Sequence, residues 1–163
     1  MTDLCSEFLV KKKMTAVDFM LQGGIIILAA ILVGAAVTFV KGLGAALAVV
    51  IIYGAYYLAT TVFKEFEYIF VNGDIDFDVI VNKRGRKRLI TVKSPEIEAV
   101  KPYVPAEHQS VQYQTVIHAE ASKNGDNMCI VAQSGKRGKT LIVFTNNEKT
   151  VECLRKTCPR AFM

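Results

Sequence analysis

The fold of this chain is decided by two uncharged stretches, FMLQGGIIILAAILVGAAVTFV (residues 19–40) and GLGAALAVVIIYGAYYLATTVF (residues 42–63), with only Lys41 between them. As a helix, each stretch would be about 33 Å long, which matches a hydrocarbon core of about 30 Å. A helix in the core of a soluble protein would need a polar stripe on its outer face, and neither stretch has one. The sequence therefore predicts a two-helix transmembrane hairpin over residues 16–63.

The charges that flank the hairpin predict its orientation. Three lysines at residues 11–13 precede it, and Lys64 and a basic run at residues 83–88 follow it. Basic residues near the ends of spans stay in the cytoplasm. We therefore expect both termini on the cytoplasmic side of the inner membrane, with a short turn at residues 40–44 outside. Thr15 and Asp18 have the spacing of a capping box, which predicts the start of the first helix.

Small residues predict how the two helices pack. Ala30 and Gly34 are four residues apart, as are Gly44 and Ala48, and such pairs favour close helix contact. They also leave room for a homo-oligomer. Transporters and proton relays normally carry ionisable groups inside the membrane, whereas Gln22 is the most polar side chain in these stretches. The hairpin is therefore predicted to be an anchor rather than a transport pathway.

The segment before the hairpin, residues 1–15, is predicted to lie in the cytoplasm. Leu4, Phe8 and Leu9 have helical spacing, which fits a short interfacial helix over residues 2–10. A frayed terminus fits the same residues equally well. The sequence leaves both interpretations open.

From Phe66 onward the apolar residues alternate with a period of two, which is typical of β-strands. Strands are expected at residues 66–70, 75–81, 89–93, 115–122, 128–133 and 141–145, with a strong hairpin signal at Asn72-Gly73. A helix over residues 147–158, capped by Asn146 or Asn147 and stopped by Pro159, follows them. Residues 64–163 are therefore predicted to form an α+β domain. It would be an antiparallel β-roll or barrel of six or seven strands with a C-terminal helix, similar to the pleckstrin-homology-like (PH-like) superfold.

Two segments carry a resemblance to a known family. They are EYIFVNGDID (67–76) and NKRGRKRL (82–89), and Leu154 with Pro159-Arg160 near the end also fits. With the Lys-rich N-terminus and the two apolar stretches, they resemble an uncharacterised family of small bacterial two-span membrane proteins with a PH-like C-terminal domain. The resemblance covers nearly the whole chain and implies a fold, but it implies no activity or ligand.

The net charge and the cysteines exclude other classes of protein. The chain carries 20 basic and 15 acidic residues, a net charge of +5, and most of the excess lies after residue 64. A mild excess of this kind is typical of an anionic membrane surface rather than of nucleic-acid binding. The four cysteines, Cys5, Cys129, Cys153 and Cys158, show no CxxC spacing. They are predicted to be reduced thiols in the cytoplasm.

Motifs that would indicate an enzyme are incomplete. Gly138-Lys139-Thr140 ends like a phosphate-binding loop, but the first glycine of that motif would fall at Gln133, and a strand rather than a helix follows. His108 and His118 have no Ser or Cys beside them in sequence that would suggest a nucleophile pair. We therefore predict no catalytic residues and no cofactor.

A metal site is not predicted either. Asp74, Asp76 and Asp78 begin like a calcium-binding loop, but Val79 stands where the glycine should be and Gly85 where the bidentate Glu should be. Cross-strand ion pairs on a polar sheet face explain this pattern better, with Asp78 expected opposite Lys93.

Two basic turns carry the functional prediction. The candidate contacts with anionic lipid are Lys83, Arg84, Arg86, Lys87 and Arg88 in the first turn, and Lys136, Arg137 and Lys139 in the second. Guanidinium and ammonium groups suit phosphate oxygens, and each basic residue near an anionic leaflet contributes about 1 kcal/mol. The alternative is that these turns only set the topology and keep the hairpins soluble.

Taken together, these features predict a membrane-anchored, non-enzymatic binding or scaffolding module at the cytoplasmic membrane face. Its partners would be the lipid bilayer and an unknown protein. The rival interpretation is an accessory subunit of a membrane enzyme or transporter complex. A membrane hydrolase that uses Cys or His comes third.

Overall fold

The computed structural model describes residues 7–71, 73–135 and 137–162. The chain divides into two compact units. One is a helical unit of Lys13–Lys64, and the other is a β domain formed by Met1–Lys12 together with Glu65–Met163. The helical unit is therefore an insertion in the chain of the β domain, which is assembled from residues on both sides of it.

The helical unit consists of α1 (Ala16–Phe39) and α2 (Gly44–Thr60). The predicted capping box is confirmed at the start of α1. The Thr15 hydroxyl accepts from the Asp18 N–H at 3.3 Å, and the Asp18 carboxylate accepts from the Thr15 N–H at 2.9 Å. The turn between the helices lies where the sequence predicted it, and Gly42 has a φ of +83° there.

The two helices approach most closely beside this turn. A Cβ on Gly44 would lie 2.6 Å from the carbonyl oxygen of Ala36, so a larger residue would push the helices apart. Gly44 and Ala48 are buried at this contact, which confirms their predicted role. The prediction for Ala30 and Gly34 is wrong, because both are exposed in the helix pair and Ala36 makes the close contact instead.

The lengths of the two helices differ from the sequence prediction. α1 has 24 residues and, by length and composition, is the one helix among the described residues that is long and apolar enough to cross a membrane. α2 has 17 residues instead of the expected 22. It is shorter because residues 42 and 43 belong to the turn between the helices and residues 61–63 lie in the turn before the following strand, where the Phe63 N–H donates to the Thr60 carbonyl at 3.3 Å.

The first sheet of the β domain has four strands in sequence order. These are β1 (Phe8–Lys11), β2 (Lys64–Val71), β3 (Asp74–Val81) and β4 (Gly85–Lys93). The alternation of Phe66, Tyr68 and Phe70 predicted β2 correctly, and all three side chains are buried. In the turn that follows, Gly73 has a φ of +87°, and Asn72 lies outside the described residues.

β1 corrects both interpretations of the N-terminal segment. Phe8–Lys11 is neither an interfacial helix nor a frayed end, because it pairs antiparallel with β2, from Phe8 opposite Tyr68 to Lys11 opposite Glu65. The ring of Phe8 also contacts Phe70, with centroids 6.1 Å apart. Residues 2–6 of the predicted segment lie outside the described part of the chain.

The second sheet has the strand order β5-β7-β8-β6. Its strands are β5 (Ile97–Pro102), β6 (Thr115–Ala119), β7 (Asn127–Ser134) and β8 (Gly138–Thr145). Residues 64–163 therefore contribute seven strands, within the predicted six or seven, and β1 from before the helical unit is an eighth among the described residues. The sheet is also mixed rather than antiparallel, because β6 runs parallel to β8.

Two short helices complete the domain. α3 (Pro105–His108) lies in the long connection between β5 and β6, and α4 (Glu148–Thr157) follows β8. The Asn147 side chain caps α4 by accepting from the Lys149 N–H at 3.0 Å, and Pro159 follows its end, as predicted.

The core lies between the two sheets and is centred on aromatic side chains. The ring of Tyr68 lies 5.3 Å from Phe77 and 6.0 Å from Phe144. The Tyr68 hydroxyl donates to the Ala119 carbonyl at 2.5 Å and accepts from the Thr145 N–H at 3.2 Å. Burial raises the pKa of Tyr68 to about 12. One neutral hydroxyl therefore ties β2 to both β6 and β8.

Candidate functional site

The first basic turn joins β3 to β4. Asn82 and Lys83 have φ values of +47° and +55°, and the Arg84 N–H donates to the Val81 carbonyl at 3.0 Å. These positive φ angles fit a hairpin turn whose twist matches that of its strands. The side chains of residues 83–88 are exposed. The turn therefore presents several basic groups to solvent on a short, hydrogen-bonded loop.

The turn lies at a particular end of the first sheet. β1 and β3 are antiparallel to β2 and β4, respectively. β2 and β3 neighbour each other and are joined by two residues, so they too must be antiparallel. The end of β1 at Lys11, the start of β2 at Lys64 and the β3–β4 turn therefore share one end of the sheet. The chain leaves for the helical unit and returns from it at this same end.

Two of the candidate arginines are held by carboxylates behind this turn. Asp78 accepts from the Nε of Arg86 and from the Nε of Arg88, each at 3.0 Å. Arg86 also pairs with Glu67, and Arg88 lies 2.9 Å from Asp76. The hydrogen bond to Asp78 raises the pKa of Arg88 above its ordinary value. Two guanidinium groups thus face three carboxylates in a network across three strands.

The ion pairs confirm the expected polar sheet face, but the predicted partner of Asp78 is wrong. Lys93 lies opposite Asp74, and Asp78 lies opposite Arg88. The β3–β4 turn is centred on Lys83, with Val81 opposite Gly85, and this register places Lys93 near the far end of β3. A further shift of one residue between Phe77 and Asp78 sets Asp78 opposite Arg88 rather than Leu89. The Asp78 side chain is only 3% exposed, so its two hydrogen bonds to guanidinium groups also satisfy a buried charge.

In the second basic turn, between β7 and β8, the basic side chains that the structure describes contact other residues of the β domain. Arg137 donates to the carbonyl oxygen of Leu89 in β4 at 2.9 Å. The Lys139 ammonium lies 5.8 Å from the ring centroid of Tyr113, within the range of a cation–π contact. Lys136 lies outside the described residues. The Arg137–Leu89 hydrogen bond joins the second basic turn to β4, one residue beyond the first basic segment.

Other sequence motifs have structural explanations. Gly138-Lys139-Thr140 opens a strand, as expected, and not a phosphate-binding helix. His118 lies on β6 and contacts the Glu120 carboxylate at 2.9 Å. Cys129, Cys153 and Cys158 are buried reduced thiols, and Cys5 lies outside the described residues.

Sequence reasoning missed a cluster of polar and aromatic side chains between β5 and β6. The His108 Nδ1 lies 2.7 Å from the Tyr113 hydroxyl, and its Nε2 lies 3.5 Å from the Cys129 sulfur. Tyr103 stacks on the imidazole with ring centroids 5.5 Å apart. The only signal in the sequence was the five-residue spacing of Tyr103, His108 and Tyr113, which has no regular structural period.

The environment of this cluster does not favour a nucleophile. Burial raises the pKa of the Cys129 thiol and lowers the pKa of His108. A reactive cysteine needs a thiolate and access to substrate, whereas Cys129 is fully buried. The two groups are therefore neutral partners in a hydrogen-bonded chain.

A cavity of about 660 Å³ opens beside the cluster, and it is lined by Tyr103, Pro105, His108, Gln109, Val111, Gln112, Tyr113, Gln114, Val116 and Leu141. The connection between β5 and β6 forms one wall and the outer face of the second sheet forms the other. The geometry thus offers two candidate surfaces, the basic turn and this cavity.

Comparison with known proteins identifies a family whose model matches this chain. The model of a family described as "Bacterial PH-like domain (DUF6106)" matches residues 2–163. No curated protein matches the chain.

Proposed function

We propose that this chain, which belongs to the bacterial PH-like domain family, is a membrane-anchored, non-enzymatic binding module. The helical unit holds it in the inner membrane as a two-span hairpin, with both termini in the cytoplasm. The basic turn between β3 and β4 then contacts the anionic lipid of the same leaflet.

The pairing of β1 with β2 supports the two-span topology. These strands lie in one sheet, so the chain that leaves at Lys11 must return at Lys64 to the same side of the membrane. The number of crossings between them is therefore even. If α1 crosses the bilayer, α2 must cross back, and its 17 residues are at the short end of the range of about 17–25 that spans a bilayer.

The observation that carries the lipid proposal is the position of the basic turn within the sheet. It shares one end with Lys11 and Lys64, where the chain enters and leaves the apolar helices. The connections are short, since residues 12–15 and 61–63 separate the strands from the helices. These short covalent connections limit how far this end of the sheet can lie from the ends of the helices, and this limit supports a lipid contact by the turn.

The ion-pair network narrows the set of lipid contacts. Arg86 and Arg88 are engaged by carboxylates, so we assign the main lipid contacts to Lys83 and Lys87, and Arg84, which is exposed in the same turn, adds a third basic group there. The side chains of Lys83 and Lys87 have no hydrogen-bond or ion-pair partner among the residues that the structure describes. At about 1 kcal/mol for each basic residue, the three side chains contribute about 3 kcal/mol to holding the turn at an anionic surface.

Hydrogen exchange of the full-length protein in nanodiscs tests this proposal. Exchange at residues 82–88 should be slower with phosphatidylglycerol than with phosphatidylcholine alone, and added salt should remove the difference because exposed charges are screened over about 8 Å. The triple variant Lys83→Gln, Arg84→Gln and Lys87→Gln should abolish the difference.

A matched control keeps the net charge of that variant. It replaces three exposed lysines elsewhere in the β domain: Lys93, Lys123 and Lys149. The control should behave like the wild type. If exchange at the turn is the same in both lipids, or if the two triple variants behave alike, the basic turn does not bind the leaflet.

A further inference from the structure

We infer that a groove between α1 and α2 binds one acyl chain of a diacyl phospholipid from the cytoplasmic leaflet. The inference rests on the two-span topology proposed above, and it gives the helical unit a ligand as well as a role as an anchor. The site takes the chain and its ester linkage rather than a charged head group, so it differs in chemistry from the basic turn.

The groove lies at the depth of the cytoplasmic leaflet. Along α1, its lining residues run from Gln22 to Val33. Asp18 is charged and caps the helix, so the hydrocarbon core begins after it, at about Phe19. At 1.5 Å per residue, the groove extends from about 5 Å to about 21 Å below that level. One leaflet accounts for about 15 Å of hydrocarbon. The groove therefore covers most of this leaflet, and beyond it the helices come into contact at Gly44.

The groove is too narrow for another helix. Its volume is about 580 Å³, and over a length of about 17 Å this gives a mean cross-section of about 34 Å². A helix with its side chains is about 10 Å across, which requires about 80 Å². A helix of a second copy could enter only by separating α1 from α2. A single hydrocarbon chain is narrow enough to enter without moving them.

The walls of the groove make van der Waals contact the main source of binding. Its lining includes Ala29, Ala55 and Ala59, whose short side chains leave the space open. Ile26 and Ile52 also line it and are each 57% exposed, so the groove opens at the lipid-facing surface of the helix pair. Lipid chains are as apolar as these walls, so packing decides what fills the space. An unfilled gap would lose the contacts that a chain provides.

Gln22 gives the groove a polar group at its cytoplasmic end. Its half-buried side chain lines the groove and has no hydrogen-bond partner among the residues that the structure describes. The Thr60 hydroxyl, by contrast, donates to the Tyr57 carbonyl at 2.9 Å. Side chains on a helix lean toward its N-terminus, so the Gln22 amide extends toward the level of the glycerol esters. Its NH₂ group can donate there to an ester carbonyl, which removes the cost of an unpaired amide.

Native mass spectrometry of the full-length protein in detergent, titrated with phosphatidylcholine, tests the inference. This lipid has no net charge, so the basic turn does not favour it. The wild type should retain one lipid molecule. The ether-linked analogue keeps the chains and the head group but lacks the ester carbonyls, and it should bind about fivefold more weakly, the effect of one neutral hydrogen bond. Gln22→Leu should bind both lipids equally.

A second pair of variants tests the groove itself. Ala55→Phe should fill it and abolish retention of the lipid. Ala46→Phe is the matched control, because Ala46 is an exposed residue of the same helix that does not line the groove, and it should behave like the wild type. Circular dichroism checks that both variants keep their helices.

Three results would overturn the inference. The first is a wild type that retains no lipid, and the second is equal retention by the Ala55→Phe and Ala46→Phe variants. The third is a lipid-free dimer that Ala55→Phe dissociates, which would assign the groove to a second copy. The triple variant of the basic turn should still retain the lipid. The acyl-chain site and the proposed contact of the basic turn can therefore fail separately.

Discussion

Replacing Asp78 by Asn should destabilise the β domain by about 2 kcal/mol. The substitution keeps the size of the side chain but removes the charge that two guanidinium groups share. Breaking a fully buried ion pair costs about 3–5 kcal/mol. Arg86 and Arg88 are 47% and 52% exposed, so water solvates them in the variant and the loss is smaller. For a domain of about 100 residues, 2 kcal/mol lowers the melting temperature by about 8 °C.

Thermal unfolding of the full-length protein in detergent, followed by circular dichroism, measures this effect. Asp74→Asn is the matched control, because Asp74 lies at the other end of β3, opposite Lys93, and should cost less than about 0.5 kcal/mol. A double-mutant cycle with Arg88→Gln should give a coupling energy of about 1 kcal/mol. Calcium should leave the melting temperature of the wild type unchanged, since guanidinium groups occupy the carboxylates. A coupling energy of zero, or equal effects of the two Asn variants, would refute the role given to the network.

Three further predictions concern titration, burial and topology. Burial lowers the pKa of His108, so below about pH 6.5 the unfolded chain binds a proton that the folded chain does not, and the folded state loses stability. In a His118→Gln variant, which leaves His108 as the one histidine, the melting temperature should therefore fall as the pH is lowered. The fall should be much smaller when His108 is also replaced by Gln. Tyr68→Phe removes two hydrogen bonds between the sheets and should cost about 1–3 kcal/mol in denaturant unfolding. Alkaline titration of the wild type should show one tyrosine that ionises last, near pH 12, and this step should be absent from the variant. A cysteine at exposed Lys123, in a Cys5→Ser chain, should react with an impermeant maleimide only after the cells are opened; labelling in intact cells would contradict the cytoplasmic orientation.

The sequence was sufficient to predict the long elements of the fold. Strict alternation located β2 and β3, a continuous apolar run located β8, and the side chains of Asn147 and Thr15 marked the starts of helices. β1 was missed because four residues carry no measurable period and its partner lies beyond the helical unit. β5 was missed because the prolines around it resemble those of a loop.

The candidate surfaces were less predictable than the fold. Composition alone identified the basic residues, but their partners depend on strand register. A shift of register between Phe77 and Asp78 sets the buried Asp78 opposite Arg88 rather than Leu89. The cavity at Tyr113 could not be found from the sequence, because it forms when a loop folds over a sheet and brings His108 beside Cys129.

The insertion of the helices between β1 and β2 has a consequence for biosynthesis. β1 is translated first, but its partner is translated only after the 52 residues from 12 to 63. During that interval β1 has no sheet to join, and an open loop of this length makes early pairing entropically costly. Once the helices have folded back on each other, the two ends of the loop lie close together and that cost largely disappears. Completion of the first sheet therefore follows the pairing of the two helices. An edge of β2 that stays without β1 would expose chains whose helices failed to pair to quality-control proteases.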